Sequence, residues 1–217
     1  MNVTFTKAYI EQYPDLPFGI AYAWECDAQK GFKPLVEPKI QAKQDINRKL
    51  GEIKESIGLY EAFFKKQKRQ SPLSFQLNGV LQKGFPSINP FVDILILSEM
   101  QNGVLMGIQD LDKISGDLAV DLAQKGEEFE GFKNRIRCRK GEIVLRDAES
   151  IVASYFQGPD KKTSISPKTR NVILYAFFVP GIEKKCIQQA LEQAVWLLNL
   201  YSTEKKSMIK IFEPNTQ

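Results

Sequence analysis

The sequence contains no histidine among its 217 residues. That absence excludes serine–histidine and cysteine–histidine catalytic pairs, and also the common zinc sites that histidine builds. Any chemistry must therefore use carboxylates, hydroxyls, lysines, backbone dipoles or the substrate itself. The sequence also lacks a glycine-rich phosphate loop and clustered metal ligands, so it predicts neither a nucleotide nor a metal cofactor.

Cysteine is scarce as well. Cys26, Cys138 and Cys186 lie far apart, and their odd number and the lack of a C-x-x-C pair indicate reduced, structural thiols. No apolar run approaches the length of a membrane span, and the first residues show no secretory signal. These absences predict a cytoplasmic protein.

Apolar side chains are plentiful and make up 43% of the chain. That share is enough for a packed core and argues against disorder. Thirty Lys and Arg residues against 26 Asp and Glu residues leave a net charge of +4. A mildly basic chain permits an anionic partner but does not require one.

The stretch 89–116 organises the chain, because it predicts a helix, a glycine turn, a strand and a second turn in close succession. Asn89 is a good N-cap, and Pro90 suits the first helical position. Gly103 predicts the end of the helix, since glycine adopts positive φ without a steric penalty. We include Asn89 and Gly103, near the two ends of this helix, among the candidate substrate- or RNA-binding residues.

Gly107 lies inside the short apolar strand that follows. A glycine in a strand often marks the close approach of a backbone or a ligand. Asp110 and Asp112 close the strand, and in an extended chain their carboxylates would point to the same side. Turn capping is the commoner role of aspartates at such a position.

The remaining pattern predicts a mixed order of elements. Strands and loops are expected over 1–35, including a strand over 18–24, and the other predicted elements are helices over 38–64, 73–82 and 182–200, a strand over 117–123, a hairpin over 136–156, a buried strand over 171–179 and an extended segment over 208–212. Because this order is neither repeated βαβ nor all-β, we predict a single α+β domain over 1–217, with mixed or antiparallel sheets and packed helices. An N-terminal strand and helix region, 1–69, precedes a core over 70–200.

Two basic segments are candidates for RNA contact. The loop from 161 to 170 combines cations with hydroxyls that suit phosphate oxygens. Its candidate residues, with the neighbouring asparagine, are Lys161, Lys162, Thr163, Thr169, Arg170 and Asn171. A solvated surface loop is the alternative. In the second segment, 135–140, alternation along a strand places most of the charges on one solvated face, and we favour that interpretation slightly.

Several short motifs, in a fixed order, resemble one known family. They are Pro86-Ser-Ile-Asn-Pro-Phe-Val-Asp93, Asp110-Leu-Asp112 with Gly116-Asp117, Gly126-Glu127, and Thr169-Arg-Asn-Val172. The series resembles the tRNA-editing module of the phenylalanyl-tRNA synthetase β subunit, formed by its fused third and fourth modules. It is most similar to the free-standing versions of that module, over roughly residues 70–200.

The resemblance implies an α+β fold whose internal cleft hydrolyses the ester of a mischarged aminoacyl-tRNA. The synthetase module removes tyrosine from phenylalanine-accepting tRNA, but this chain departs from its motif. Leu95 and Ile96 replace a Thr-Asn pair, Gly107 replaces a histidine, Gln109 replaces an aromatic residue, and Tyr175 replaces a glutamate. The tyrosine specificity is therefore not expected here, whereas glycine at 107 is similar to the free-standing members.

Ester hydrolysis needs an oriented water and donors for the developing oxyanion, and neither requires histidine. We expect backbone N–H groups near Gly107 to act as donors, and Asp110, Glu127 or Tyr175 to orient the water or the substrate ammonium. For Tyr175 the alternative is a core residue with a tethered hydroxyl. The predicted function is deacylation of mischarged tRNA; the alternatives are a non-catalytic RNA-binding module and an amino-acid-binding protein.

Overall fold

Helices and strands alternate irregularly along the chain in the computed structural model, which describes residues 1–214. The helices are α1 (Lys7–Gln12), α2 (Val36–Arg48), α3 (Leu50–Lys66), α4 (Leu73–Lys83), α5 (Pro90–Asn102) and α6 (Lys184–Asn199). The strands are β1 (Val3–Phe5), β2 (Phe18–Ala23), β3 (Met106–Asp110), β4 (Leu118–Leu122), β5 (Glu128–Glu130), β6 (Arg135–Arg137), β7 (Ile143–Arg146), β8 (Ile151–Ser154), β9 (Gly158–Pro159), β10 (Val172–Phe177) and β11 (Ser207–Phe212). Over the described range, none of the helices is long and apolar enough to cross a membrane.

The strands form two larger sheets and one small ribbon. A five-stranded sheet has the order β1-β4-β7-β8-β9, a four-stranded sheet has the order β11-β2-β10-β3, and β5 pairs with β6. The β1–β4 pair is parallel, and the other recorded pairs are antiparallel. The fold is therefore α+β with mixed and antiparallel sheets, as the sequence predicts.

The four-stranded sheet has β10 at its centre, between β2 and β3. Every residue of β2 and β10 is buried, which agrees with their continuous apolar sequences. Helix α6 covers β2 so closely that a Cβ on Gly19 would lie 3.0 Å from side-chain atoms of both Ile187 and Leu191. The N-terminal segment contributes to both larger sheets, because β1 pairs with β4 and β2 pairs with β10.

Helix α5 and its turn confirm the predictions for 89–116. The Asn89 side chain accepts a hydrogen bond from the Phe91 N–H at 2.9 Å, and Pro90 occupies the first turn. Gly103 has φ 63° and ψ 29°, and its N–H donates to the Glu99 carbonyl. A Cβ on Gly103 would lie 2.7 Å from the Ile53 carbonyl oxygen, so glycine is needed for the conformation and for the close approach of α3.

Two predictions for the N-terminal half are wrong. The helix expected over 38–64 is divided into α2 and α3, because Lys49, with φ −109° and ψ 18°, leaves helical geometry. Residues 1–35 also contain the helix α1. The Thr6 hydroxyl caps it by accepting a hydrogen bond from the Tyr9 N–H at 3.3 Å. Six residues are too few for a helical hydrophobic period to appear.

Two further corrections concern later segments. Leu111–Lys113 forms a 3₁₀ turn, and the Asp110 carboxylate accepts a hydrogen bond from the Asp112 N–H at 3.2 Å. Asp110 therefore caps the turn, which confirms the commoner role expected for these aspartates, and the two carboxylates do not line one face of a strand. The first arm of the hairpin predicted over 136–156 is divided, since β6 pairs with β5 while β7 pairs with β4 and β8.

We predict that Gly103→Ala lowers the free energy of unfolding by roughly 2 kcal/mol, because alanine is strained at positive φ and its Cβ would meet the Ile53 carbonyl. The matched control is Gly58→Ala in α3, where no atom lies within 4 Å of the added Cβ. That variant should gain up to about 1 kcal/mol. Urea denaturation measures both, and equal stabilities would contradict the role given to Gly103.

Candidate functional site

A cavity of about 370 Å³ lies where α3, α4 and α5 meet β3, β10 and the segment from β8 to β9. Aromatic and aliphatic side chains form most of its wall, namely Phe64, Leu95, Leu105, Met106, Tyr155, Phe156, Tyr175 and Phe177. Its polar lining residues are Gln70, Gln76, Glu99, Ser154 and Gln157. Gly107 also lines it. A concave, mostly apolar pocket with a few polar groups is the usual form of a small-ligand site.

Gly107 and Tyr175 face each other across the β3–β10 pair in this cavity. The phenol ring of Tyr175 lies against the Gly107 backbone, and a Cβ on Gly107 would overlap the ring and its hydroxyl. Glycine at 107 is therefore required by the neighbouring ring. Tyr175 is 1% exposed, and burial raises its pKa far above the ordinary value, so the phenol stays neutral.

The hydrogen-bond alternation of the β3–β10 pair fixes which backbone donors face outward. The Phe177 N–H donates to the Leu105 carbonyl at 3.0 Å, and the Leu111 N–H donates to the Asn171 carbonyl at 2.9 Å. Bonding residues alternate in an antiparallel pair, so the Gly107 N–H also faces β10 and belongs to the ladder. It is therefore not a free donor, and the predicted donors near Gly107 would have to come from neighbouring residues.

The outer edge of β3 carries the alternate N–H groups. The Met106 N–H donates to Glu99 Oε1 at 3.0 Å, and the Asp110 N–H donates to the Thr163 carbonyl at 2.8 Å. The Ile108 N–H lies between them, and no acceptor for it is recorded within residues 1–214. Ile108 does not itself line the cavity, but its amide, bonded to the carbonyl carbon of the lining residue Gly107, is the one on this edge of β3 for which no partner is seen in residues 1–214.

Glu99 is the polar residue of the cavity that the sequence analysis missed. Its side chain is buried, and Glu99 Oε2 has no hydrogen-bond partner in the described part of the chain. Burial raises the pKa of Glu99 to about 8, while the Met106 N–H acts in the opposite direction. The sequence did contain a signal for Glu99. Helix α5 is apolar around most of its circumference, so a carboxylate on it has no solvent-facing side to occupy.

The predicted hydroxyl ligands of the loop 161–170 are buried against carboxylates. The Thr169 hydroxyl donates to Asp110 Oδ2 at 2.6 Å, and the Thr163 hydroxyl donates to Asp160. The Asn171 amide donates to both oxygens of Asp112, at 2.9 and 3.1 Å. These groups therefore hold the loop to the carboxyl end of β3, and none of them lines the cavity.

The cations of the same loop lie at the surface in ion pairs. Lys161 Nζ lies 3.6 Å from Glu130 Oε1, Lys162 Nζ lies 2.5 Å from Glu149 Oε2, and Arg170 Nη1 lies 2.9 Å from Asp27 Oδ1. Exposed pairs of this kind contribute little to stability, so their partners can exchange for phosphate.

Glu127 and the remaining predicted residues lie outside the cavity lining. Glu127 accepts two hydrogen bonds from the Arg146 guanidinium, each 2.7 Å long, and these bonds lower its pKa. Asn89 and Gly103 cap the two ends of α5. Of the predicted catalytic residues, the structure therefore brings together Gly107 and Tyr175, and it adds Glu99 to them.

Comparisons with known proteins relate this chain to one domain family and to one kind of synthetase subunit. A family model described as the B3/4 domain matches residues 60–202. The phenylalanine–tRNA ligase β subunit of Yersinia pestis is 30% identical over 146 residues, which cover 65% of this chain and 17% of that subunit. The β subunit of Fusobacterium nucleatum is 26% identical over 148 residues, covering 67% of this chain and 17% of that subunit. The chain thus spans about a sixth of these relatives.

One solved structure matches almost the whole length of this chain. It is a crystal structure of an N-terminal fragment of the phenylalanyl-tRNA synthetase β subunit from Pyrococcus horikoshii, with a TM-score of 0.49 and 15% identity. The match covers 96% of this chain and 50% of that fragment. The family match and the curated relatives confirm the resemblance inferred from the sequence motifs.

We predict that Glu99→Gln changes how stability depends on pH. The folded chain holds the Glu99 proton more tightly than the unfolded chain, so stability falls as pH rises from about 4.5 to about 8. The variant lacks this loss, which is on the order of 5 kcal/mol. Melting temperatures at pH 5 and pH 8.5 should therefore differ less in Glu99→Gln than in wild type. Glu55→Gln, on the exposed side of α3, should retain the wild-type difference; a Glu99→Gln profile identical to it would refute the assignment.

Proposed function

This chain belongs to the B3/4 domain family, and from that membership we propose that it hydrolyses the ester of mischarged aminoacyl-tRNA. The observation that carries the proposal is the cavity at the Gly107–Tyr175 pair. These are the positions where the resemblance implies the histidine and glutamate of the synthetase module. Because the chain spans only 17% of its curated relatives, the ligase activity of those proteins is not part of the proposal.

The proposed reaction needs no histidine, because an aminoacyl ester is already reactive. Water adds to the ester carbonyl carbon, the bond to the ribose oxygen breaks, and that oxygen takes a proton from the attacking water. The Ile108 N–H donates to the carbonyl oxygen as its negative charge develops. Tyr175 orients the water as a neutral phenol, and the neighbouring ribose hydroxyl assists it.

The loop 161–170 provides the proposed contact with the rest of the tRNA. It is bound to the outer edge of β3 through the Asp110 N–H and the Thr163 carbonyl, 2.8 Å apart. Lys161, Lys162 and Arg170 are exposed there. Phosphate contacts by these cations would hold the acceptor end near β3 and would make binding sensitive to salt.

A second candidate function is tRNA binding without turnover. It is favoured by the absence of an ionised base from the cavity lining within residues 1–214, since burial favours the neutral forms of both Glu99 and Tyr175. Binding of a free amino acid is a weaker alternative. Thermal-shift measurements with free amino acids distinguish it, because a ligand of the native state raises the melting temperature.

We predict that the chain releases amino acid from at least one member of a panel of mischarged tRNAs carrying tyrosine, serine, alanine or threonine. Gly107→Val should lower the rate at least about tenfold, because its side chain forces the Tyr175 ring from its position. Gly79→Ala in α4, where the added Cβ meets no atom within 4 Å, is the matched control and should keep the rate.

Two results of this assay count against hydrolysis. Release no faster than the no-enzyme rate for every ester would reject the deacylase. Salt-sensitive binding of the same tRNAs without release would then support the second candidate. Full activity in Gly107→Val would show that the reaction occurs outside this cavity.

We predict that Lys161→Ala and Lys162→Ala each weaken tRNA binding and reduce the slope of log affinity against log salt by about one. Lys7→Ala removes a lysine of α1 that is even more exposed, and it should leave the slope unchanged. Titrations at several salt concentrations measure this slope. Equal slopes for all four proteins, wild type included, would exclude the loop as the phosphate contact.

A further inference from the structure

Two acceptor atoms of the cavity lack partners, and both are side-chain oxygens. Glu99 Oε2 and Gln76 Oε1 are buried and have no hydrogen-bond partner in the described chain. Both residues line the same cavity. A buried polar atom without a partner is costly, so two acceptors left open in one cavity indicate a ligand that brings hydrogen-bond donors.

The surroundings of Glu99 indicate what charge the donor group of this ligand would carry. The carboxyl group is 2% exposed and, within residues 1–214, it forms no ion pair with a lysine or arginine. The influences on its pKa are burial and the Met106 N–H. Burial and Glu99 itself raise the pKa of the Tyr60 and Tyr175 phenols, which carry no positive charge. Burial keeps Glu99 neutral in the empty cavity. A bound ammonium would favour the ionised carboxylate by providing a counter-charge, and it would also provide several N–H donors, whereas a neutral amide or hydroxyl would provide no charge.

The position of Glu99 indicates which kind of ammonium group would bind there. Glu99 Oε1 accepts the Met106 N–H at 3.0 Å, so the carboxylate lies at the outer edge of β3. The unpaired Ile108 N–H lies on the same edge, about 7 Å along the strand. An α-amino acyl group can bridge that interval, because its ammonium and its carbonyl are attached to the same carbon. The apolar remainder of the wall suits an aliphatic or aromatic side chain.

We propose that Glu99 and Gln76 bind the α-ammonium of an aminoacyl ester with an apolar side chain. This inference rests on the proposed function and names the substrate class of its site. Glu99 is a specificity residue in this account: it selects α-amino esters over esters without an amino group, and it positions the carbonyl at the Ile108 N–H.

The test compares two small esters that differ only in the amino group, L-leucine methyl ester and methyl 4-methylpentanoate. Isothermal titration should show that the wild-type chain binds the amino ester at least tenfold more tightly. Glu99→Gln, which retains the shape and loses the charge, should abolish that preference, and Gln76→Leu should reduce it several-fold. Glu55→Gln should keep it. Equal affinity for the two esters, or an unchanged preference in both cavity variants, would overturn the inference.

The same variants, assayed on mischarged tRNA, separate this inference from the proposed function. If wild type deacylates tRNA and Glu99→Gln and Gln76→Leu are equally fast, the ammonium site fails and the hydrolase stands. If no tRNA ester is cleaved but binding of the small ester depends on its amino group and on Glu99, the ammonium site stands and the hydrolase fails. Gln76 lies on a different helix from Glu99, so Gln76→Leu keeps the test open if Glu99→Gln does not fold.

Discussion

The contact between the Tyr175 ring and the Gly107 backbone is the constraint on which the site depends. The two residues are opposite each other in the antiparallel β3–β10 pair, so their side chains share one face of the sheet and one volume. Only one of them can be large. With glycine at 107, the ring fills the space beside the strand, and the cavity is left with an aromatic floor and a neutral hydroxyl.

Glu99, in contrast, lies in an environment that is unfavourable for it, because burial disfavours the charged form of its carboxyl group. One oxygen is hydrogen-bonded to the Met106 N–H, and the other is buried without a hydrogen-bond partner in the described chain. The helix that carries it, α5, is capped at both ends by Asn89 and Gly103. A helix that is otherwise well stabilised can tolerate one residue whose environment is unfavourable in the empty site, which is a common feature of binding sites.

The fold class and most elements were predictable because local signals agreed with tertiary packing. The N-cap at Asn89, the glycine at 103 and the apolar run of β10 each fixed an element from its own residues. The break at Lys49 was not predicted, since the hydrophobic spacing of Ile46, Leu50 and Ile53 continues across it, and α1 is too short to show a full hydrophobic period.

Only those features of the site that depend on residues close together in the sequence were predictable. Gly107 was found from its place in a strand, but its ring partner depends on strand register, which a single sequence does not give. Thr169 was assigned to phosphate because its actual partner, Asp110, is 59 residues away in the chain. The Thr163–Asp160 bond is local, but it competes with many other partners that a loop threonine can have. The apolar surroundings of Glu99 in α5 were visible in the sequence, but the unpaired oxygen of its side chain depends on tertiary packing.

The most direct measurement is a crystal structure with a stable analogue, an adenosine that carries leucine at its 3′ position through an amide in place of the ester. The account predicts that the acyl group occupies the cavity, with its carbonyl oxygen at hydrogen-bond distance from the Ile108 N–H and its ammonium beside Glu99. An acyl group bound elsewhere, while the cavity stays as it is in the free chain, would contradict the account.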